Sequence, residues 1–103
     1  MQIEKKYIGI DCLYIKAFGR LDLDSAVEYG TTINNAIEDS VEYIKNLVLD
    51  FSEITFISSF GLKVILELYK QMSERGSMKL TNVSEQIRNS FKIVGFDKFL
   101  IFE

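Results

Sequence analysis

Short extended apolar runs alternate with segments of helical periodicity along this chain, and this alternation restricts its fold more than any other feature. Two extended runs, residues 3–10 and 13–18, come first. The pair 11–12 between them suits a hairpin turn, although it lacks the usual glycine. Residues 46–51 hold a continuous apolar run, which is typical of a central strand covered on both faces. Further strands are predicted at residues 78–81 and 99–102.

Three segments between these strands have the pattern of capped amphipathic helices. The first has capping-box spacing at Ser25 and Glu28, followed by apolar residues at steps of three and four, and should end near Ser40. The last has Ser84 as its cap, runs through Val94 and has Gly95 as its terminator. The apolar positions of the first are Ala26, Tyr29, Ile33, Ala36, Ile37, Val41 and Ile44.

The middle helix is predicted to begin at Ser59 or Phe60 and to run to Arg75. Gly76 follows it and would supply the left-handed residue that commonly ends a helix. Its core-facing positions are Leu62, Ile65, Leu66, Tyr69 and Met72.

The order of these elements predicts an α/β fold with parallel crossovers. We expect a mixed β-sheet with an antiparallel N-terminal edge. The helices should pack mainly on one side of the sheet, because their apolar stripes need a shared surface to cover them. With 103 residues, the chain should form one domain over residues 1–103.

Composition excludes several classes of function. Histidine is absent and Cys12 is the one cysteine, so Ser-His and Cys-His nucleophile pairs and histidine-rich metal sites are ruled out. Cys12 is best interpreted as a small, partly buried apolar residue. The net charge of −3 and the lack of a basic block argue against nucleic acid as a partner. No apolar run approaches the length of a signal core or membrane span, so we expect a cytoplasmic protein without a membrane partner.

Two segments lead into helices at the carboxyl ends of predicted parallel strands, where α/β folds place their sites. The first is the loop at residues 19–24, and the second is the loop at residues 50–61. We expect the two to lie side by side. Taken alone, Ser58 or Ser59 could simply cap the second helix, Asp22 could favour a turn, and Asp50 could end a strand.

Short motifs in these segments and downstream resemble those of one known family. They are Gly19-Arg20-Leu21-Asp22, Leu49-Asp50-Phe51-Ser52, the segment from Ile57 to Leu62, Gly76-Ser77-Met78-Lys79-Leu80 and Val94-Gly95-Phe96-Asp97. In this order and at this spacing, they resemble the STAS domain of anti-sigma factor antagonists over nearly the whole chain. The resemblance implies a STAS-like sheet.

The resemblance also implies a modification site. The family's phosphoacceptor corresponds to Ser59, and the acidic residue of the neighbouring pocket corresponds to Asp22. The sequence departs from the family pattern where Ser58 replaces a frequent Asp and Phe60 replaces a small residue. The implied partner surface comprises Asp22, Ser58, Phe60, Gly61 and Lys63, with Glu67 and Lys70 on the exposed side of the helix.

By the same resemblance, the protein is a non-enzymatic switch that needs no cofactor. Unphosphorylated, it would bind an anti-sigma factor serine kinase and so free a sigma factor for transcription. Phosphorylation of Ser59 would release the kinase, which itself binds ATP, and a serine phosphatase would restore the free serine. The alternative is a constitutive STAS scaffold, such as a transporter-associated or signalling-complex subunit, that is never phosphorylated.

Two questions remain open at the level of sequence. Phe60 could pack into the core or serve as an aromatic anchor for a partner. Asp22, Asp24 and Asp50 could in principle surround a magnesium ion. A glycine-rich phosphate loop with a positioned lysine is missing, so hydrolase or phosphotransferase chemistry is disfavoured.

Overall fold

The computed structural model describes residues 1–41 and 43–103. Strands and helices alternate after an N-terminal hairpin, and a short 3₁₀ helix, Phe96–Lys98, precedes the last strand. The strands are β1 (Gln2–Ile8), β2 (Cys12–Leu21), β3 (Asn46–Asp50), β4 (Ile54–Ile57), β5 (Ser77–Thr81) and β6 (Ile101–Phe102). The helices are α1 (Leu23–Asp39), α2 (Ser59–Ser73) and α3 (Glu85–Ile93).

The strands form one mixed sheet in the order β1-β2-β3-β5-β6. Strand β4 pairs with the end of β2, outside this order. The β1–β2 pair is antiparallel and the other pairs are parallel. The predicted mixed sheet, its antiparallel N-terminal edge and the central position of β3 are therefore confirmed.

The helices cover mainly one face of the sheet, as predicted. Alternate residues of the three central strands lie in register on that face and are buried: Leu13 and Ile15, Leu47 and Leu49, Met78 and Leu80. Tyr14, Val48 and Lys79 occupy the opposite face and are only partly buried. The expectation that β3 is covered on both faces is thus wrong, because successive strand side chains alternate between faces and the helices cover mainly one of them.

The hairpin turn lies earlier than predicted. Cys12, partly buried as expected, already belongs to β2, and the turn is formed by residues 9–11. Gly9 provides the missing turn glycine with a φ of +64°. Strand β2 also continues to Leu21, three residues beyond its predicted end.

The end of α2 differs from the prediction in both position and cause. The helix ends at Ser73 rather than Arg75, and Gly76 is not among the residues with positive φ. A Cβ atom on Gly76 would lie 2.0 Å from the carbonyl oxygen of Lys45. The glycine is needed for this close approach of two backbone segments, and Ser77 donates its amide to the same carbonyl at 2.8 Å. By contrast, the predicted caps of α3 are confirmed, with Ser84 at its start and Gly95 following its end at a φ of +81°.

Gly76→Ala should therefore destabilise the protein by about 3 kcal/mol, the upper part of the range for overpacking, because the clash is with backbone. Gly30→Ala is the matched control, since its added Cβ would meet a side-chain atom, Val64 Cγ1, at 2.9 Å, rather than backbone. Urea unfolding of both variants measures the difference. If Gly76→Ala loses no more unfolding free energy than Gly30→Ala, the close approach to the Lys45 carbonyl does not require glycine.

No helix in the described part of the chain is both long enough and apolar enough to cross a membrane.

Candidate functional site

Parallel pairing of β2 with β4 brings the two predicted site segments together. Leu21 lies opposite Ile57 in the register, and the Ser58 amide donates a hydrogen bond to the Leu21 carbonyl at 2.9 Å. The next residues, Asp22 and Ser58, therefore lie at the same edge of the sheet. The expectation that these segments are neighbours is confirmed, although much of each is strand rather than loop.

Asp22 begins helix α1 as its N-cap. Its Oδ1 accepts the Ser25 amide at 3.2 Å, and the Asp22 amide donates to Ser25 Oγ at 3.0 Å. The capping box is thus Asp22–Ser25, and the prediction of a box at Ser25 and Glu28 is wrong by one turn. Hydrogen bonds from the side chain and the backbone of Ser25 hold the pKa of Asp22 below its usual range. Asp22 is consequently an exposed, ionised carboxylate with a defined orientation.

Helix α2 begins with two serines that have different environments. Ser58 is the N-cap, and its Oγ accepts the Gly61 amide at 3.0 Å. Ser59 is the first residue of the helix and is exposed, and within the described residues its hydroxyl has no hydrogen-bond partner. The predicted placement of Ser59 in the first turn is confirmed, and the capping role belongs to Ser58.

Gly61 allows the start of α2 to pack directly on the end of β2. A Cβ atom at this position would lie 2.9 Å from the Leu21 carbonyl oxygen and 2.8 Å from a side-chain carbon of Ile57. The residue is buried. Gly61 thus acts by fixing the approach of the helix rather than by presenting a contact group.

The remaining predicted site residues lie on the surface of α2. Phe60 is partly buried and lies outside the buried core cluster. It lines a groove of about 600 Å³ between α1 and α2, together with apolar residues such as Val27 and Val64. Lys63 is exposed, as are Glu67 and Lys70. The site therefore combines a capped helix start with an adjacent groove.

Asp50 has a structural role that its sequence position did not reveal. Although its side chain is only 5% exposed, it lies at the end of β3 and accepts hydrogen bonds from the Tyr14 hydroxyl, the Ser52 amide at 2.8 Å and Asn82 Nδ2 at 3.2 Å. Burial alone would raise the pKa of Asp50, but these hydrogen bonds outweigh it and hold the pKa below its usual range. The bond to Asp50 raises the pKa of Tyr14 to about 12.

The acidic residues do not form the magnesium site considered from the sequence. Asp22 is engaged in capping α1, and Asp50 is enclosed by its three donors. Within residues 1–41 and 43–103, no group of three potential metal ligands is close enough to hold an ion.

A pair of side chains that was not predicted from the sequence lies beside the site. Arg20 and Phe56 are partners in the β2–β4 register, and the guanidinium carbon of Arg20 lies 4.1 Å from the centre of the Phe56 ring. Sequence offers no signal for this pair, since it depends on β4, a strand that was assigned to a loop.

The STAS domain family model matches residues 6–103. BtrV of Bordetella bronchiseptica, which is assigned by name to the anti-sigma factor antagonists, is 36% identical over 53 residues. That alignment covers 50% of this chain and 46% of BtrV, so it spans about half the length of each protein.

Solved structures share the fold at lower identity. The anti-sigma factor antagonist SpoIIAA in its unphosphorylated form superposes with a TM-score of 0.82 at 19% identity, covering 99% of this chain and 88% of SpoIIAA. The murine anion transporter Slc26a9 superposes with a TM-score of 0.74 at 16% identity, covering 87% of this chain but only 15% of the transporter. The same architecture therefore occurs both in small antagonists and as a part of a transporter.

Proposed function

Because the chain belongs to the STAS family, we propose that it acts as an anti-sigma factor antagonist controlled by phosphorylation of Ser59. The unphosphorylated protein binds an anti-sigma factor serine kinase and so frees the sigma factor. The kinase binds ATP and modifies Ser59, which releases the protein, and a serine phosphatase reverses the modification. This chain supplies the binding surface and the acceptor hydroxyl and catalyses no step itself.

The contrast between the two serines is the observation that carries this proposal. The Ser58 hydroxyl accepts the Gly61 amide and is half-buried, so its modification would remove the cap of α2. The Ser59 hydroxyl is exposed and makes no competing hydrogen bond within the described residues. A kinase can therefore reach Ser59 without unfolding the start of the helix.

The proposed partner surface surrounds this hydroxyl. It comprises Asp22, Ser58, Phe60 and Lys63, with Gly61 buried beneath them, and it continues along the exposed side of α2 to Glu67 and Lys70. The relative BtrV is named as an anti-sigma factor antagonist, which supports an anti-sigma factor as the partner. The fold alone would also suit a subunit of a larger assembly.

Phosphorylation tests the proposal directly. The protein is incubated with ATP and, in turn, with each anti-sigma factor kinase that the source genome encodes, and its intact mass is measured. We expect one added phosphoryl group on the wild type and on Ser58→Asn, which keeps a capping side chain, and none on Ser59→Ala. A kinase that gives this pattern is called the Ser59 kinase below. Lack of modification by every kinase would favour the constitutive scaffold, and modification of Ser58 alone would move the site by one residue.

Phe60→Ala should weaken binding to the Ser59 kinase by about 1–3 kcal/mol if the ring is a desolvated anchor. The melting temperature should change little, since Phe60 lies outside the buried core cluster. Ile10→Ala is the control, because Ile10 is an exposed apolar residue at the opposite end of β2. Calorimetric titration and thermal unfolding measure the two effects. Unchanged affinity with a large loss of stability would identify Phe60 as a core residue.

A further inference from the structure

We propose that Arg20, whose guanidinium lies over the ring of Phe56, binds a carboxylate of the anti-sigma factor and so helps to select the partner. The inference rests on the proposed function and names the chemistry of a contact that it leaves unspecified. The partner residue is an aspartate or glutamate presented next to the segment that docks on the start of α2.

The guanidinium of Arg20 lies over an aromatic ring of the neighbouring strand. Arg20 and Phe56 are exposed neighbours on β2 and β4, and the guanidinium carbon lies 4.1 Å above the ring centre. The register shifts between Gly19 and Arg20, where Gly19 has a φ of +106°. Such irregularities in strand pairing commonly redirect a side chain at a functional edge.

The charge of Arg20 is left unpaired. Among the described residues no carboxylate forms an ion pair with it. Asp22, the nearest acidic residue in sequence on this edge, is committed to Ser25 and the start of α1. The Arg20 charge helps to lower the pKa of Asp22, which agrees with their closeness, but it comes after the Ser25 hydrogen bonds as a cause.

A carboxylate is the group that this arrangement fits. The ring of Phe56 lies against one side of the guanidinium, and the five N–H donors at the edges of the group lie in its own plane. Those edges form a fork that matches a carboxylate with two parallel hydrogen bonds. Because stacking already restricts the side chain, less conformational entropy is lost when a partner binds.

The position of the pair connects it to the switch. Arg20 lies two residues before Asp22, and Phe56 lies three residues before Ser59, roughly 10 Å along an extended chain. A phosphate on Ser59 would attract the Arg20 guanidinium and repel a partner carboxylate approaching it. The same contact therefore strengthens the unphosphorylated complex and makes it sensitive to modification.

Titration of the purified Ser59 kinase with Arg20 variants tests this inference. Arg20→Glu should weaken binding about 10- to 100-fold, and Arg20→Gln should weaken it several-fold. Phe56→Leu, which keeps an apolar side chain but removes the ring, should produce a smaller loss. Arg88→Glu is the matched control, because Arg88 is also exposed and stacked on a phenylalanine, Phe102, at the opposite edge of the sheet. We expect it to change affinity by no more than about 2-fold, within the small effect of a charge outside the interface.

A partner variant identifies the interacting group. In the kinase, replacing the responsible aspartate or glutamate with lysine should restore binding of Arg20→Glu and weaken binding of the wild type. Rising salt concentration should weaken the wild-type complex more steeply than the complex of Arg20→Gln. Thermal unfolding of each variant confirms that the fold is retained.

The outcomes separate this inference from the proposed function. Wild-type affinity in Arg20→Glu, with phosphorylation of Ser59 intact, would overturn the carboxylate contact and leave the switch standing. An effect of Arg20→Glu on the phosphorylated form alone would also overturn it, since Arg20 would then serve as an internal phosphate ligand. Absence of any kinase that binds or modifies the wild type would overturn both proposals.

Discussion

Phosphorylation of Ser59 is expected to weaken binding to the Ser59 kinase by about 100-fold or more, equivalent to roughly 3 kcal/mol, while the fold stays intact. A phosphoserine adds about −1.5 to −2 charges at neutral pH and three strong acceptor oxygens. These charges would lie in the centre of the proposed partner surface. The effect should therefore be large for the complex and small for the free protein.

The free protein tolerates the phosphate because of where Ser59 lies. As the first residue of α2, it is next to backbone amides that the helix cannot satisfy internally, and the helix dipole favours negative charge there. Asp22 opposes the phosphate, but its carboxylate is exposed and water screens the repulsion. The two effects act in opposite directions, so the melting temperature should change little.

The complex with the partner should lose far more stability on phosphorylation than the free protein does. A partner surface packed against Ser58 and Phe60 would have to remove water from a dianion, which costs several kcal/mol unless a matched cation faces it. Lys63 is the basic residue nearest in sequence on the same helix, and it is exposed and free to remain in water. Desolvation at the interface, rather than refolding of the antagonist, should thus control release.

Titration of the Ser59 kinase with four forms of the protein measures the switch. Wild type and Ser59→Ala should bind tightly, whereas Ser59→Asp and the enzymatically phosphorylated protein should bind weakly. Ser58→Asn controls for substitution at the helix start, since it keeps the cap and leaves Ser59 free. Equal affinity of the phosphorylated and unphosphorylated proteins would refute the switch, and a large fall in the melting temperature on phosphorylation would point to refolding instead.

Local chemical signals account for the parts of the fold that the sequence revealed. A hydroxyl at Ser84 and a left-handed glycine at Gly95 mark the ends of α3, and both signals depend only on neighbouring backbone. Ser59 was placed correctly for the same reason, because a helix pattern follows it directly. Apolar periodicity also identified the buried side of α1.

Signals that depend on distant residues were missed. Strand β4 is four residues long and contains Thr55 and Phe56, both exposed, so it has no pattern that distinguishes it from a loop. Its existence is determined by pairing with the far end of β2. Gly76 was assigned the wrong role because the carbonyl that it approaches belongs to Lys45, about thirty positions earlier in the sequence. The role of Asp50 likewise depends on Tyr14 and Asn82.

Asp50→Ala is expected to lower the free energy of unfolding by about 3–4 kcal/mol, the largest effect that we predict for a single side chain. The substitution leaves the Tyr14 hydroxyl, the Ser52 amide and the Asn82 side chain without their common acceptor. These donors come from β2, from the turn before β4 and from the residue that follows β5. Their loss should therefore also loosen the support of the segment that leads to Ser58. Asn82 has a left-handed backbone with a φ of +56°, which asparagine adopts more readily than most other residues.

Two less disruptive substitutions separate the contribution of the Asp50 charge from that of its hydrogen bonds. Tyr14→Phe removes one donor and should cost about 1 kcal/mol. Asp50→Asn keeps an acceptor for Ser52 and Asn82 and should cost less than Asp50→Ala. Urea unfolding at neutral pH measures all three losses, and kinase affinity of the folded variants shows whether the support reaches the site. A loss for Asp50→Ala no greater than that for Tyr14→Phe would mean that the cluster contributes little.

Acidification gives an independent test of Asp50 with a defined sign. Its pKa is lower in the folded protein than the value of about 3.9 expected in the unfolded chain, so the ionised carboxylate stabilises the fold at pH values above that point. This contribution should disappear as the pH falls from about 4 through the lower folded pKa. Asp50→Asn lacks it at every pH. The difference in unfolding free energy between wild type and Asp50→Asn should therefore be constant near neutrality and shrink below about pH 4, and a difference that stays constant down to pH 2 would show that the Asp50 charge adds nothing to stability.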